Sequence, residues 1–155
     1  MRVRFVWPGK IKSPGIRAQL EVYAARIRAL AECEIVETRT ARGVPEKAAD
    51  KILNLEADGI EKSLSGGYII CLLDRGKEMT SVEFARLISA RERDAAGPLT
   101  FVAGGFLGLA ERIVGRSDLK LSLSRMTFSH ELARLVLMEQ VYRALTIVRG
   151  LHYAK

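Results

Sequence analysis

The chain has 155 residues, 48% apolar and 28% charged, with 25 Lys/Arg against 18 Asp/Glu for a net charge of +7. That length buries a real core, and the composition is too apolar for a disordered chain. No run of 18 apolar residues occurs, which excludes a membrane-spanning helix, and Met1 to Trp7 alternates basic with apolar residues, unlike a secretory signal. The protein is therefore expected to stay in the cytosol.

Elements of strand and helix character alternate along the chain. Arg2 to Trp7 alternates polar and apolar residues and predicts a strand. Gly15 to Ala31 follows, with Leu20, Tyr23, Ala24, Ile27 and Leu30 at helical spacing. Cys33 to Thr38 reads as a second strand. Through Pro45 there are nine Lys/Arg and four Asp/Glu, so +5 of the charge sits in these first elements. A concentrated basic face suits a polyanion, because each phosphate contact releases counterions.

Pro45 suits a first helical turn, and the second helix is expected from there to about Ser65, stopped by Gly66-Gly67. Tyr68 to Leu73 is a continuous apolar run, the pattern of a central parallel strand covered on both faces. Ser81 is expected to cap a third helix reaching about Ala95. Leu99 to Ala103 predicts a fourth strand, Leu107 to Gly115 a short helix, and Leu119 to Leu123 a fifth strand. Ser129 is expected to cap a long helix from His130 to Arg149. The fold class is α/β, a single domain over residues 1–155 with a parallel sheet and helices on both faces.

In such sheets ligands bind beyond the carboxyl ends of the strands. Three loops fall there. Leu73-Asp74-Arg75-Gly76-Lys77 is no phosphate loop, because Cys71 stands where the first glycine is required. Gly104-Gly105-Phe106-Leu107-Gly108 lets backbone approach a ligand, or serves only as a tight turn. Leu121 to His130 mixes hydroxyls with large apolar side chains and suits a purine, or serves only to cap the last helix. Cys33 and Cys71 read as small hydrophobes in buried strands, and with His130 and His152 they make no ligand set, so no metal is expected. The last helix carries Leu132, Leu135, Val136, Leu137, Met138, Val141, Tyr142, Leu145, Ile147 and Val148, leaving a narrow polar stripe. A helix this apolar needs cover on two sides, one of them a second copy of the chain in a homodimer.

The run Leu123-Ser-Arg-Met-Thr-Phe-Ser-His130-Glu-Leu-Ala-Arg134, continuing through Glu139, Gln140, Tyr142 and Arg143, resembles the C-terminal block of the RlmH family. These are SPOUT-class methyltransferases of pseudouridine N3 in large-subunit rRNA. Leu73-Asp74 with Gly76-Lys77, the Gly104-Gly105-x-x-Gly108 loop and Gly9-Lys10 resemble it too, so the likeness covers essentially the whole chain. It implies a C-terminal trefoil knot, a dimeric active site and S-adenosylmethionine as cofactor. Leu73, Gly104 and the segment Leu123, Ser124, Arg125, Met126, Thr127 and Phe128 would cradle that cofactor. The implied partner is the ribosome, recognised by shape without a separate RNA-binding domain.

Two departures stand out. Phe106-Leu107 replaces Pro-Glu or Ala-Glu in the glycine loop, and the family's final His-Pro-Tyr-His becomes Leu151-His152-Tyr153-Ala154 with Ala154 for the last histidine. Methyl transfer to an imide nitrogen needs deprotonation and alignment. His130 is the candidate base, or simply the first residue of a helix. Arg134 and Arg143 are candidates to hold phosphate or a developing imide anion, and Tyr153 to stack on the base. The rival readings are a SPOUT enzyme of another RNA such as tRNA, and a relative that binds RNA but has lost catalysis.

Overall fold

The computed structural model describes residues 1–94 and 96–153. In chain order the elements are β1 (Arg2–Pro8), α1 (Pro14–Arg28), β2 (Glu32–Thr38), α2 (Ala49–Ser63), β3 (Tyr68–Glu78), α3 (Ser81–Asp94), β4 (Leu99–Val102), α4 (Glu111–Val114), β5 (Leu119–Ser122) and α5 (His130–Val148). All five strands are parallel in one sheet ordered β2-β1-β4-β3-β5. Their carboxyl ends therefore share one edge, as the alternation of strand and helix predicts.

Because side chains alternate along a strand, the sheet feeds two cores, one on each face. Val3, Phe5 and Trp7 of β1 join Ile70, Leu99, Phe101 and Leu121 beneath α1, α3 and α5. Phe5 stacks on Phe101 with centroids 5.5 Å apart, and Phe84 of α3 meets Phe101 edge-on at 6.0 Å. On the other face Val6, Ile69, Cys71 and Val102 pack against Ala57 and Ile60 of α2 and Ile113 of α4. Burial pushes the Cys71 thiol up to about 11, so it is an inert hydrophobe. Cys33 lies on β2, an edge strand, and is only half-buried.

Several local expectations give way to competing interactions. Pro45 precedes α2 rather than opening it. Its carbonyl accepts the Ala48 N–H in a turn, and the helix starts at Ala49. The cap of α3 is Thr80, one residue before the expected Ser81. Thr80 Oγ1 accepts the Glu83 N–H at 3.2 Å while Glu83 accepts the Thr80 N–H at 2.7 Å, a reciprocal capping box. Ser81 instead donates to Gln140 of α5. The expected end of this helix, Ala95, lies outside the described residues. α4 is a single turn, since a tight turn at Gly105–Gly108 consumes the residues before it.

The largest departure is in β3. The segment taken for a loop after Leu72 is a bulge within a longer strand. Leu72 and Lys77 both fall opposite Leu121, and Leu73 to Gly76 are extruded between them. Gly76 permits this, because a Cβ there would lie 2.5 Å from the Leu121 backbone.

α5 matches its expected start, with Ser129 Oγ accepting the Leu132 N–H at 3.3 Å. Its buried stripe is Arg134, Leu137, Met138, Val141, Ala144 and Leu145. The sheet covers that stripe, and α1 and α3 cover much of the flanks. Thus part of the cover expected from a second copy comes from the chain itself, leaving Leu132 and Ile147 exposed.

Candidate active site

A cleft of about 410 Å³ opens at the carboxyl edge of the sheet. Its walls come from three places that are far apart in sequence: the β3 bulge (Leu72, Leu73, Asp74), the glycine turn after β4 (Ala103 to Phe106 and Gly108), and Ser122 to Ser124 and Met126 to His130 with Ala133. Seven expected cofactor residues, Leu73, Gly104, Leu123, Ser124, Met126, Thr127 and Phe128, line it together, as does His130. Arg125 is the exception. Its side chain is 90% exposed and lies 3.7 Å from Glu78, so it points out to solvent.

The glycine wall is built by close approach. A Cβ on Gly104 would overlap the Gly108 carbonyl, and Gly108 takes φ +78° to turn the chain. The turn closes with the Gly108 N–H donating to Gly105 O at 3.1 Å. A Cβ on Gly105 would meet the Glu56 carboxylate at 3.1 Å, so Glu56 backs this wall from α2. Glu56 is 7% exposed, and burial raises its pKa against the attraction of Arg134.

Arg134 differs in role from the expected phosphate holder. It is 1% exposed and does not line the cleft. Its Nη2 donates to Pro8 O and Gly104 O, both at 3.0 Å, and its guanidinium lies 5.4 Å from the Trp7 ring centroid. Burial lowers its pKa to about 10, so it remains charged at neutral pH, beside Glu131, Glu56 and Glu37. It is a positioning residue: one guanidinium fixes the end of β1 and the glycine wall to α5.

The amino end of α5 forms the remaining wall. Burial and then the Arg134 charge hold the His130 imidazole below its ordinary 6.5; Glu131 opposes the shift and Lys12 adds to it. Glu131 accepts the Lys12 and Ser13 N–H groups at 2.7 and 3.1 Å, pinning the β1–α1 loop to the cleft. Ser122 Oγ lies 3.1 Å from Asp74 O and 2.9 Å from Ser124 O, tying the bulge to the loop after β5. Phe106 and Met126 are 57% and 77% exposed, and both line the cleft as large apolar side chains facing solvent.

Arg143 and Tyr153 are not at this cleft. At 1.5 Å per residue, Arg143 sits roughly 20 Å along α5 from His130. Arg143 pairs with Glu139 at 2.6 Å and lies 4.6 Å from the Tyr153 ring centroid. The Tyr153 hydroxyl is 3.1 Å from that of Tyr23, and its ring meets Tyr142 edge-on at 4.8 Å. One face of Tyr153 is thus already engaged within its own chain. His152 is exposed, and the expectation about Ala154 lies outside the described residues.

The cleft's residues fit S-adenosylmethionine. Apolar walls at Leu72, Leu73, Leu123 and Phe128 accept a purine and the methylenes beside the sulfonium, while the bare backbone at Gly104 admits a ligand where any Cβ would force the turn apart. Sequence reading missed Glu56 and Glu131. Glu131 carried a signal, an acid in the first turn of a capped helix. Glu56, at one apolar-spaced position of α2, carried none. Among the described residues no cluster could hold a metal and no helix is long and apolar enough to cross a membrane.

Comparison with known proteins identifies the family and the fold. A family model described as a SPOUT methyltransferase matches residues 1–154. The chain is 41% identical over 150 residues to the ribosomal RNA large subunit methyltransferase H of Geobacter sulfurreducens, covering 96% of this chain and 95% of that protein. It is 35% identical over 159 residues to the protein of the same name from Carboxydothermus hydrogenoformans, covering all of both. Among solved structures, the tRNA (m1G37) methyltransferase of Aquifex aeolicus shares the fold at a TM-score of 0.57 and 15% identity, over 100% of this chain and 75% of that one.

Proposed function

The chain belongs to the SPOUT methyltransferase family, in the group named ribosomal RNA large subunit methyltransferase H, and from that premise we propose that it methylates N3 of a pseudouridine in large-subunit rRNA on the assembled ribosome. S-adenosylmethionine supplies an electrophilic methyl group. The observation that supports the reading most is a cleft at the carboxyl edge, where the glycine turn, the β3 bulge and the Leu123–Phe128 loop converge with His130. The reading includes one domain over the whole chain, a C-terminal trefoil knot and residence in the cytoplasm. Mass spectrometry of rRNA and tRNA nucleosides from a deletion strain tests it. Loss of N3-methylpseudouridine from large-subunit rRNA alone is expected, and loss of a tRNA methyl group instead would refute the rRNA assignment.

His130 is the group of this cleft suited to accept the imide proton, since an imidazole held below 6.5 is neutral at physiological pH. A base must be unprotonated to act, so the methylation rate should stay level above pH 6.5 and fall as pH drops through the lowered pKa. With His130→Asn the imide must ionise unaided, and the rate should instead climb about tenfold per pH unit. Parallel profiles for the two proteins would remove His130 from proton transfer.

A homodimer completes the proposal. Within one chain Arg143 and Tyr153 are remote from the cleft, and α5 keeps Leu132 and Ile147 exposed. Pairing along α5 would cover those residues and bring the Tyr23–Tyr142–Tyr153 cluster toward the partner's cleft. Sedimentation at micromolar concentration should give a dimer, and a folded monomer there would contradict it.

A further inference from the structure

We infer that Lys10, Lys12, Arg39 and Arg42 form a strip that grips the RNA phosphates flanking the target nucleotide. The inference rests on the reading above, that this cleft acts on RNA, and deepens it by naming the residues that hold the backbone.

The strip follows from topology. β1 and β2 are parallel to β4 and lie first and second beside it, so their carboxyl ends open on the same edge as the cleft, roughly 5 and 10 Å away across the sheet. Lys10 and Lys12 come just after β1, and Arg39 and Arg42 just after β2. All four are exposed, and among the described residues none has a side-chain hydrogen bond or ion pair. Arg112 and Arg149, by contrast, are committed to Asp58 and Glu61 and to Glu92, and exposed arginines such as Arg17, Arg86 and Arg93 that are equally uncommitted are scattered over helices rather than gathered on two neighbouring loops. Glu131, an acid close to the strip, already accepts two backbone N–H groups. Glu37 and Glu46 are exposed acids in the same segments, so four cations stand against two acids and positive charge prevails.

The strip is also held rigidly to the cleft. The Gly9 N–H donates to Thr38 O at 2.9 Å, and Gly9, at φ +73°, lets Thr40 approach so closely that a Cβ would lie 2.5 Å from its Cγ2. Arg134 then joins Pro8 O to Gly104 O, and Glu131, next to His130, holds the Lys12 backbone. Lys12 is near enough to act on the His130 charge. Four uncommitted cations on two loops clamped to the cleft wall suit an anionic strand that passes the cleft while one base enters it.

The test compares wild type with Lys10→Gln/Lys12→Gln, Arg39→Gln/Arg42→Gln and the fourfold variant, using S-adenosylmethionine and purified ribosomes over a range of salt. The fourfold variant should raise KM for ribosomes on the order of tenfold and flatten the log–log salt slope by about 1 for each phosphate no longer held. Its kcat and its affinity for S-adenosylmethionine should stay within a few-fold. Arg28→Gln/Lys62→Gln, exposed cations at the opposite edge, should change neither KM nor slope. An unchanged KM and salt slope in the fourfold variant, with active wild type, overturns the strip alone. A raised KM on ribosomes with unchanged binding to naked rRNA fragments assigns these cations to a ribosomal protein and also overturns it. Wild type that methylates no ribosomal particle overturns the underlying reading.

Discussion

Gly104→Val is expected to lower S-adenosylmethionine affinity by about a hundredfold or more, the loss of roughly 2.7 kcal/mol or greater. The reason is intrinsic to the turn. The new Cβ would overlap the Gly108 carbonyl, and backbone, unlike a flexible side-chain end, yields only if the whole turn opens. Opening it displaces the Gly104 carbonyl from Arg134 and moves the wall against which the ligand lies. Gly105→Ala provides the control. Its Cβ would meet only the Glu56 carboxylate at 3.1 Å, which can shift by a few tenths of an ångström, so affinity should change within a few-fold. Calorimetry on both variants, with circular dichroism to confirm folding, reads the contrast. Equal affinities would remove the glycine turn from the binding site.

Arg134→Met should be the most destabilising single substitution in the site region. It leaves the carbonyls of Pro8 and Gly104 without their donor and the buried Glu56 without its nearest cation. Removing one member of such a buried set costs about 3–5 kcal/mol. At this chain length that corresponds to a Tm lower by roughly 10 °C. Arg134→Lys should recover little, because an ammonium cannot reproduce a fork directed at separate carbonyls. Thermal melts with and without S-adenosylmethionine check this, and the ligand-induced rise in Tm should shrink in both variants. A variant with wild-type Tm and full ligand response would mean that Arg134 fixes nothing of consequence.

Arg134 also marks where sequence reading stops. By residue type it reads as a group to hold phosphate or a developing imide anion. Yet it lies three and four residues before Leu137 and Met138, on the buried stripe of α5, and that spacing was the available sign that it points inward. Elements and their alternation were legible because hydrophobic period and glycine stops are local. The order β2-β1-β4-β3-β5 was not, since it depends on pairings between distant segments.

Local chemistry misled in places for the same reason. Asp74-Arg75-Gly76 has the composition of a loop, but β5 recaptures Lys77 and makes it a bulge. Pro45 has the right chemistry for a helix start and lies before it, because the turn to Ala48 takes its carbonyl. Seven of the eight residues that the resemblance implies for the cofactor line one cleft, whereas the guanidinium of the eighth, Arg125, faces solvent beside Glu78. Nothing in one chain's pattern announced that Tyr153 would pack on Tyr142 and Arg143, since that cluster joins α1, α5 and the tail.

Transfer of a labelled methyl group from S-adenosylmethionine to purified ribosomes, compared between pseudouridylated and unmodified particles, tests the central claim most directly. The account predicts multiple turnovers on pseudouridylated ribosomes, label in large-subunit rRNA as N3-methylpseudouridine, and little or none on unmodified ones. Label absent from both particles, or found equally in both, would contradict it.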